Sequence, residues 1–164
     1  AILVEGATEF ILLPKLYEQL TGRTVEEDEV AIIPCGGVSY KRYLAIAENA
    51  NKKVSVITDN DGDSDKISEA ANYNNSHEDQ HVFMDQTTEG WTWEKCFYEA
   101  NKEALDSLIK TRPKAKYLFH GKDYGPVLGK MLNNKADVAY QMLMAETKFT
   151  VPQYVQDAII WLNE

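Results

Sequence analysis

The first hundred residues alternate short apolar, β-rich runs with stretches whose apolar positions recur every three or four residues, the pattern of successive βαβ units around a parallel sheet. Residues 1–5 (AILVE) read as a first strand. Gly6 and Thr8 then open a helix in which the apolar residues Phe10, Leu13, Leu16, Tyr17 and Leu20 repeat at three and four, ending near Gly22. Residues 30–35 read as a second strand; the turn Gly36-Gly37 follows, Ser39 is placed to cap a second helix, and Tyr43, Leu44, Ile46 and Ala47 predict its inner side. Residues 54–58 read as a third strand, the polar run 59–65 closes it, a short helix over 67–71 follows, and 81–84 read as a fourth strand. From Trp93 onward the pattern is mainly helical, broken at Pro113, Gly121, Gly125 and Pro126. Asn133 or Asn134 is placed to cap a helix over 135–145, and Pro152 fits the first turn of a last helix ending near Asn163. The expectation is an α/β fold: a sheet of about four strands, mainly parallel, flanked by helices and followed by a helical C-terminal portion.

A chain of 164 residues supports one domain with a proper core. Its apolar runs fall short of the roughly twenty residues a membrane span needs, and no signal peptide is visible, so a cytoplasmic, membrane-free protein is expected. Cys35 and Cys96 lack metal-site spacing and are expected to be buried, reduced thiols. The chain opens at Ala1 on strand-like residues without an initiator Met, so the natural protein is expected to be longer.

Net charge is -9, which by itself disfavours a polyanionic partner. The distribution reverses that reading. Residues 1–109 carry nine basic and twenty-one acidic side chains, residues 110–135 seven and one, and the remainder one and four. Lys110, Arg112, Lys114, Lys116, Lys122, Lys130 and Lys135 thus face only Asp123. A basic segment beside an acidic site matches a metal-dependent enzyme acting on phosphodiesters; a solvated charged face is the plainer explanation of the same segment.

Two acidic motifs sit at the carboxyl ends of predicted strands one and three, where open α/β sheets bind ligands. In Glu5-Gly6-Ala7-Thr8-Glu9 the first glutamate ends the strand, Gly6 permits a tight turn, and Glu9 falls one turn into the helix. In Asp59-Asn60-Asp61-Gly62-Asp63 an extended backbone would project Asp59 and Asp61 to one side. Carboxylates this close repel unless a cation joins them, and hard oxygens select Mg²⁺, Mn²⁺ or Ca²⁺. An EF-hand loop starting at Asp59 fails, because Ser64 stands where glycine is needed and Ala70 where the bidentate glutamate belongs. A haloacid-dehalogenase-type phosphatase, with Asp59 as nucleophile and Asp61 as acid, fits the strand but leaves Glu5 and Glu9 unexplained.

The pairing of ILVEG-x-TE with a strand and DxD about fifty residues later resembles the Toprim domain of topoisomerases, primases, recombination mediators and OLD (overcoming lysogenisation defect) nucleases. Thr92-Trp93-Glu94 resembles the OLD branch's TLE element, with Trp93 in place of leucine, and residues 134–139 resemble its late nK-x-x-x-A helix. ILLPKL after the first motif and the PCGG turn after strand two also fit, so the resemblance covers roughly residues 1–145. It implies a Toprim, Rossmann-like fold and a two-metal endonuclease that nicks and cleaves DNA with Mg²⁺ or Mn²⁺, Ca²⁺ being an ion a crystal would retain. It further implies Glu5, Glu9 and Asp59 around one metal, Asp59, Asp61 and Glu94 around the other, Asp63 as an outer helper, and Lys135 stabilising the extra charge of the transition state. DNA is the implied partner, together with an ATPase domain earlier in the same longer chain; a homodimer is compatible, and phage defence is a common role of such nucleases. The chain itself carries no Walker-type loop. A non-catalytic Toprim module binding DNA or protein partners is the alternative. A topoisomerase is disfavoured, since none of the nine tyrosines has a nucleophile's context. His77 and His81 are expected to border an exposed polar loop, His120 to lie near phosphate in the basic segment, and Trp91 and Trp93 to serve packing rather than base stacking.

Overall fold

The computed structural model describes residues 1–36, 39–112 and 115–164. Gly37 of the expected turn, and Pro113 and Lys114 of the basic segment, lie outside the described residues. Strands β1 (Ile2–Val4), β2 (Ile32–Pro34), β3 (Val54–Ile57) and β4 (Gln80–Phe83) form one sheet in the order β2-β1-β3-β4, every pairing parallel. Parallel neighbours require crossover segments, which α1 (Ala7–Thr21), α2 (Tyr40–Asn49) and α3 (Ser64–Ser76) provide. Helices α4 (Trp93–Ala100), α5 (Lys102–Leu108), α6 (Pro126–Asn133), α7 (Lys135–Met144) and α8 (Gln153–Asn163) make up the C-terminal half.

Successive strand residues point to opposite faces, and the core divides accordingly. Ile2 and Val4 join Leu12, Leu16, Val155 and Ile159 under α1 and α8, whereas Leu3 joins Leu44, Val56, Ala70 and Val82 under α2 and α3. Both faces of β1 and β3 are therefore buried, which explains why ILV and VSVI run nearly unbroken in apolar residues. α1 packs along α7, and α8 packs on β3 and β4. α1 stops at Gly22, whose φ of 74° is the left-handed C-cap that glycine adopts without a Cβ penalty. Among the described residues no helix is long and apolar enough to cross a membrane. Cys35 and Cys96 are buried and unpaired.

Several sequence expectations shift. Ile46, expected inward, is 68% exposed, and Phe10 of the α1 repeat is 44% exposed, while Leu12 outside that repeat is fully buried; Leu13, Leu16, Tyr17 and Leu44 are buried in keeping with the periodicity. α3 has thirteen residues rather than five, because Asp63 caps it by accepting the Asp65 N–H at 2.8 Å and its polar first turn carries no apolar signal. Ser39 occupies the cap position of α2 without a side-chain bond. His81 lies within β4, as the strand reading expected, and is stacked on Trp161 with centroids 4.3 Å apart, while His77 stacks on Tyr73 at 3.8 Å. A two-stranded antiparallel hairpin, β5 (Leu118–Phe119) with β6 (Lys122–Asp123), interrupts the region expected to be mainly helical; two-residue strands are too short for alternation to announce them.

Candidate active site

The register that aligns Val4 with Ile57 carries Glu5 alongside Thr58 at the carboxyl end of the sheet. The Thr58 hydroxyl donates to Glu5 Oε2 at 2.5 Å, and the Asp59 N–H stands 3.5 Å from the same oxygen. Glu5 is exposed. Glu9, one turn into α1, is only 2% exposed. Its carboxylate folds back over the helix start, where a Cβ on Gly6 would fall 2.6 Å from Oε2. A larger residue there would displace the Glu9 carboxylate, so close approach rather than backbone angle favours glycine, whose φ is -111°.

Asp59 meets the start of α4. Its Oδ1 accepts the Trp93 N–H at 2.8 Å and its Oδ2 the Thr92 hydroxyl at 2.7 Å, so an unsatisfied helix N–H and the positive end of the helix dipole hold the carboxylate. Glu94, in the first turn of α4, is 1% exposed. Its Oε1 accepts the Thr8 hydroxyl of α1 at 2.8 Å; its Oε2 accepts Thr92 at 2.9 Å and pairs with Lys135 Nζ of α7 at 2.9 Å. Three helices and the β3 edge therefore converge on Glu9, Asp59, Glu94 and Lys135. The Thr92 hydroxyl touches two carboxylates but owns a single proton, so with both acids ionised one contact lacks a hydrogen.

The electrostatics state the same imbalance. Burial first, then the charges of Asp59 and Glu94, push the Glu9 carboxyl up to about 8, and its Oε2 has no hydrogen-bond partner. Asp59 is pushed up to about 6, chiefly by burial and against the bonds from Thr92 and Trp93. Burial works against the charge of Lys135, but Glu94, Asp59 and Glu9 outweigh it and raise its pKa. One lysine faces three enclosed carboxyls.

Asp61 has a different setting. It is exposed, ion-paired with Lys66, and its N–H bonds the Trp91 carbonyl at 3.0 Å. The segment is a turn, with φ of 54° at Asp61 and 76° at Gly62, not the extended chain expected to aim both aspartates to one side. Between them Asn60 is fully buried: its Nδ2 donates to the Asp85 and Thr87 carbonyls at 2.8 and 2.9 Å and reaches that of Gly90 at 3.3 Å, while its Oδ1 accepts the Gly62 N–H at 2.8 Å. Asp63 serves α3 as its cap. Sequence reading passed over Thr8, Thr58, Asn60 and Thr92, all of which hold the acids in place; their signal was position alone, each lying inside or beside an acidic motif.

Among the described residues, no group of three or more His, Cys, Asp or Glu side chains is drawn tightly enough to form a ready metal cage. Thr8, Thr92, Lys135 and Lys66 occupy oxygens that a cation would use. The donor set nonetheless fits a hard divalent ion: carboxylate oxygens only, one of them buried without a partner, in a pocket short of positive charge.

Residues 1–61 match the family model described as "Overcoming lysogenization defect protein-like, TOPRIM domain", a span that contains Glu5, Glu9, Asp59 and Asp61. Among solved structures, the chain is similar to the C-terminal region of the Burkholderia pseudomallei OLD protein, with a TM-score of 0.63 and 14% identity over 99% of this chain and 95% of that one. The fold is a Toprim fold, with the OLD-like match at its amino-terminal end. No curated protein matches the sequence. Glu94 and Lys135 lie beyond the matched span, and what joins them to the Toprim motifs is the packing of α4 and α7 on α1.

Proposed function

We propose that this Toprim domain is a divalent-metal-dependent DNA endonuclease, hydrolysing phosphodiesters at the carboxyl edge of its sheet. The observation that carries the reading is the partnerless buried Oε2 of Glu9, beside Asp59 and Glu94, with one lysine to balance three carboxyls. The OLD-like match over residues 1–61 supports the same reaction class.

Glu5, Glu9 and Asp59 would hold one Mg²⁺ or Mn²⁺ and Asp59, Asp61 and Glu94 a second, with Asp63 near the rim. Bound there, the ions supply Lewis acidity to the attacking water and the leaving oxygen. The protein's own part is positional. Asp59 is held by the Trp93 N–H and Thr92, so it meets substrate already oriented. Thr8 and Lys135 hold the two oxygens of Glu94. Lys135, half-buried on α7, places a fixed cation where the phosphoryl group gains negative charge, and such a charge acts strongly in a partly dry site. Lys110, Arg112, Lys116, Lys122 and Lys130 draw the DNA backbone toward an otherwise acidic molecule. An ATPase domain earlier in the same natural chain belongs to this reading, as do a cytoplasmic setting and a homodimer.

The test is plasmid nicking with Mg²⁺ or Mn²⁺ by the intact chain, Asp59→Ala and Lys135→Ala. Undiminished cutting by both variants sinks the assignment. A non-catalytic Toprim scaffold binding DNA or protein is favoured by one observation: lysines already neutralise Glu94 and Asp61. Calorimetric titration separates the two readings, because the scaffold takes up no Mn²⁺.

A further inference from the structure

Beside Asp61, three aromatic side chains converge on an open cleft of about 280 Å³ that the nuclease reading does not use. Trp91 and Phe119 lie nearly parallel, centroids 6.0 Å apart and planes at 19°; Tyr124 closes in on Trp91 at 5.7 Å, and His120 stands edge-on to Phe119 at 4.2 Å. All three of Trp91, Phe119 and Tyr124 keep part of their surface in solvent. Lys122 lines the same cleft, and Asp61 and Gly62 form its other wall.

The platform is firmly mounted. The β5–β6 hairpin turns at His120 and Gly121, both with positive φ, and lies so close on α6 that a Cβ at Gly129 would fall 2.3 Å from the Tyr117 carbonyl oxygen. Asn133 of α6 donates to the Leu118 carbonyl at 3.1 Å. Aromatic faces on a rigid hairpin are what unpaired bases stack on, because every base has a π-face whatever its sequence. A hairpin that only needed packing would bury these rings, as α4 buries Trp93 against Phe97.

We propose that the Trp91–Phe119–Tyr124 cleft holds an unpaired DNA base next to the scissile phosphate, so that the preferred substrate has a single-stranded or frayed nucleotide at the cut. The inference rests on the nuclease reading for its substrate but not for its binding test. The charge agrees: Lys122 and the neighbouring residues 110–130 belong to the cationic segment of an otherwise acidic chain. Continuity agrees as well, since Asp61 and Gly62 of the cleft follow Asp59 of the carboxylate site within one short turn.

The experiment is fluorescence-anisotropy binding at low salt with Ca²⁺, using labelled oligodeoxythymidylate and an abasic strand of equal length and phosphate count. The thymidylate should bind more tightly, by roughly fivefold or more, the scale of stacking one base. Phe119→Ala and Trp91→Leu should each bring thymidylate binding down toward the abasic level and leave the abasic strand unaffected. Lys122→Ala should weaken both strands alike, because it contacts phosphate. Equal or absent binding of the two strands, or unchanged thymidylate binding in both aromatic variants with wild-type circular dichroism, overturns the proposal. A parallel Mn²⁺ cleavage assay on duplex and single-stranded plasmid separates the readings. Cutting without strand preference removes only the stacking site, and stacking without cutting removes only the nuclease.

Discussion

The acids at the carboxyl edge of the sheet live in two settings, although sequence makes them one motif pair. Glu9 and Glu94 are buried and Asp59 is half-buried, with Glu94 and Asp59 held by hydroxyls, a helix N–H and Lys135. Glu5 and Asp61 stand in solvent, held by Thr58 and Lys66. Enclosed carboxyls resist ionisation, so their arrangement is stable only with a proton or cation nearby; exposed ones ionise at little cost and can change partner. In the proposed nuclease the enclosed set would be a preformed half-site and the exposed set a recruitable one. Substitutions in the two sets should differ in kind as well as in degree.

The largest effect belongs to the enclosed set. Asp59→Ala should lower Mn²⁺-dependent nicking by about a hundredfold or more, the scale of losing a metal's charge stabilisation. Lys135→Ala should lower it comparably and also leave Glu94 enclosed without its cation, which destabilises the metal-free protein. Mn²⁺ should then raise the thermal midpoint of Lys135→Ala more than that of the intact chain while nicking stays low. If Mn²⁺ restores nicking as well, Lys135 is a stand-in for metal and no part of catalysis.

Glu9→Gln tests the same contrast through pH. The folded carboxyl titrates near 8 against an ordinary 4.5, so its contribution to stability is fully present below about pH 4.5 and is lost as pH rises through about 8. Asp59, raised to about 6 from 3.8, acts in the same direction over a lower window. Without metal, Glu9→Gln should be more stable than the intact chain at pH 8 by a few kcal/mol and nearly equal to it at pH 4.5. Urea unfolding at both pH values measures this. An intact chain at least as stable as the variant at pH 8 would mean that Glu9 is not enclosed in solution.

How legible these settings were in the sequence follows from what period and spacing encode. Strand positions, the α1 boundaries and the four parallel strands were legible because apolar runs and a terminal glycine reflect local constraints. Glu94 and Lys135 were reachable only through family resemblance, since their meeting depends on α4 and α7 docking against α1 across more than eighty residues of chain. The division between Asp59 and Asp61 was not legible, because it depends on a left-handed residue at 61 that alternation cannot foresee. The aromatic hairpin was hidden for a related reason: Trp91 looked like the companion of Trp93, yet the structure buries one and leaves the other half open.

Asn60 is the residue that sorts the two settings. Three of its polar contacts tie the turn to residues 85–90 and a fourth, from the Gly62 N–H, closes the turn itself, with Asp59 going inward and Asp61 outward. Asn60→Ala removes these bonds and strands buried carbonyls, so a loss of about 2–4 kcal/mol is expected in urea unfolding. Nicking should fall with it even at temperatures where the variant is folded, because Asp59 loses its fixed approach. Full activity in a destabilised but folded Asn60→Ala would show that the turn supports the fold and does not aim the aspartates.

The smallest effect lies in the exposed set. Lys66 and Asp61 keep 45% and 62% of their side-chain surface in water, so solvent screens the pair and Lys66→Ala should cost less than about 1 kcal/mol. Removing Lys66 also releases Asp61 from its only ion-pair partner among the described residues, so Mn²⁺ should bind slightly more tightly, by a few-fold at most. The sign matters more than the size. A recruitable carboxylate gains affinity for metal when its lysine is removed, whereas a carboxylate engaged only in a surface pair leaves Mn²⁺ affinity unchanged. Calorimetric titration of Lys66→Ala beside the intact chain distinguishes these outcomes, and unchanged affinity would take Asp61 out of the metal site.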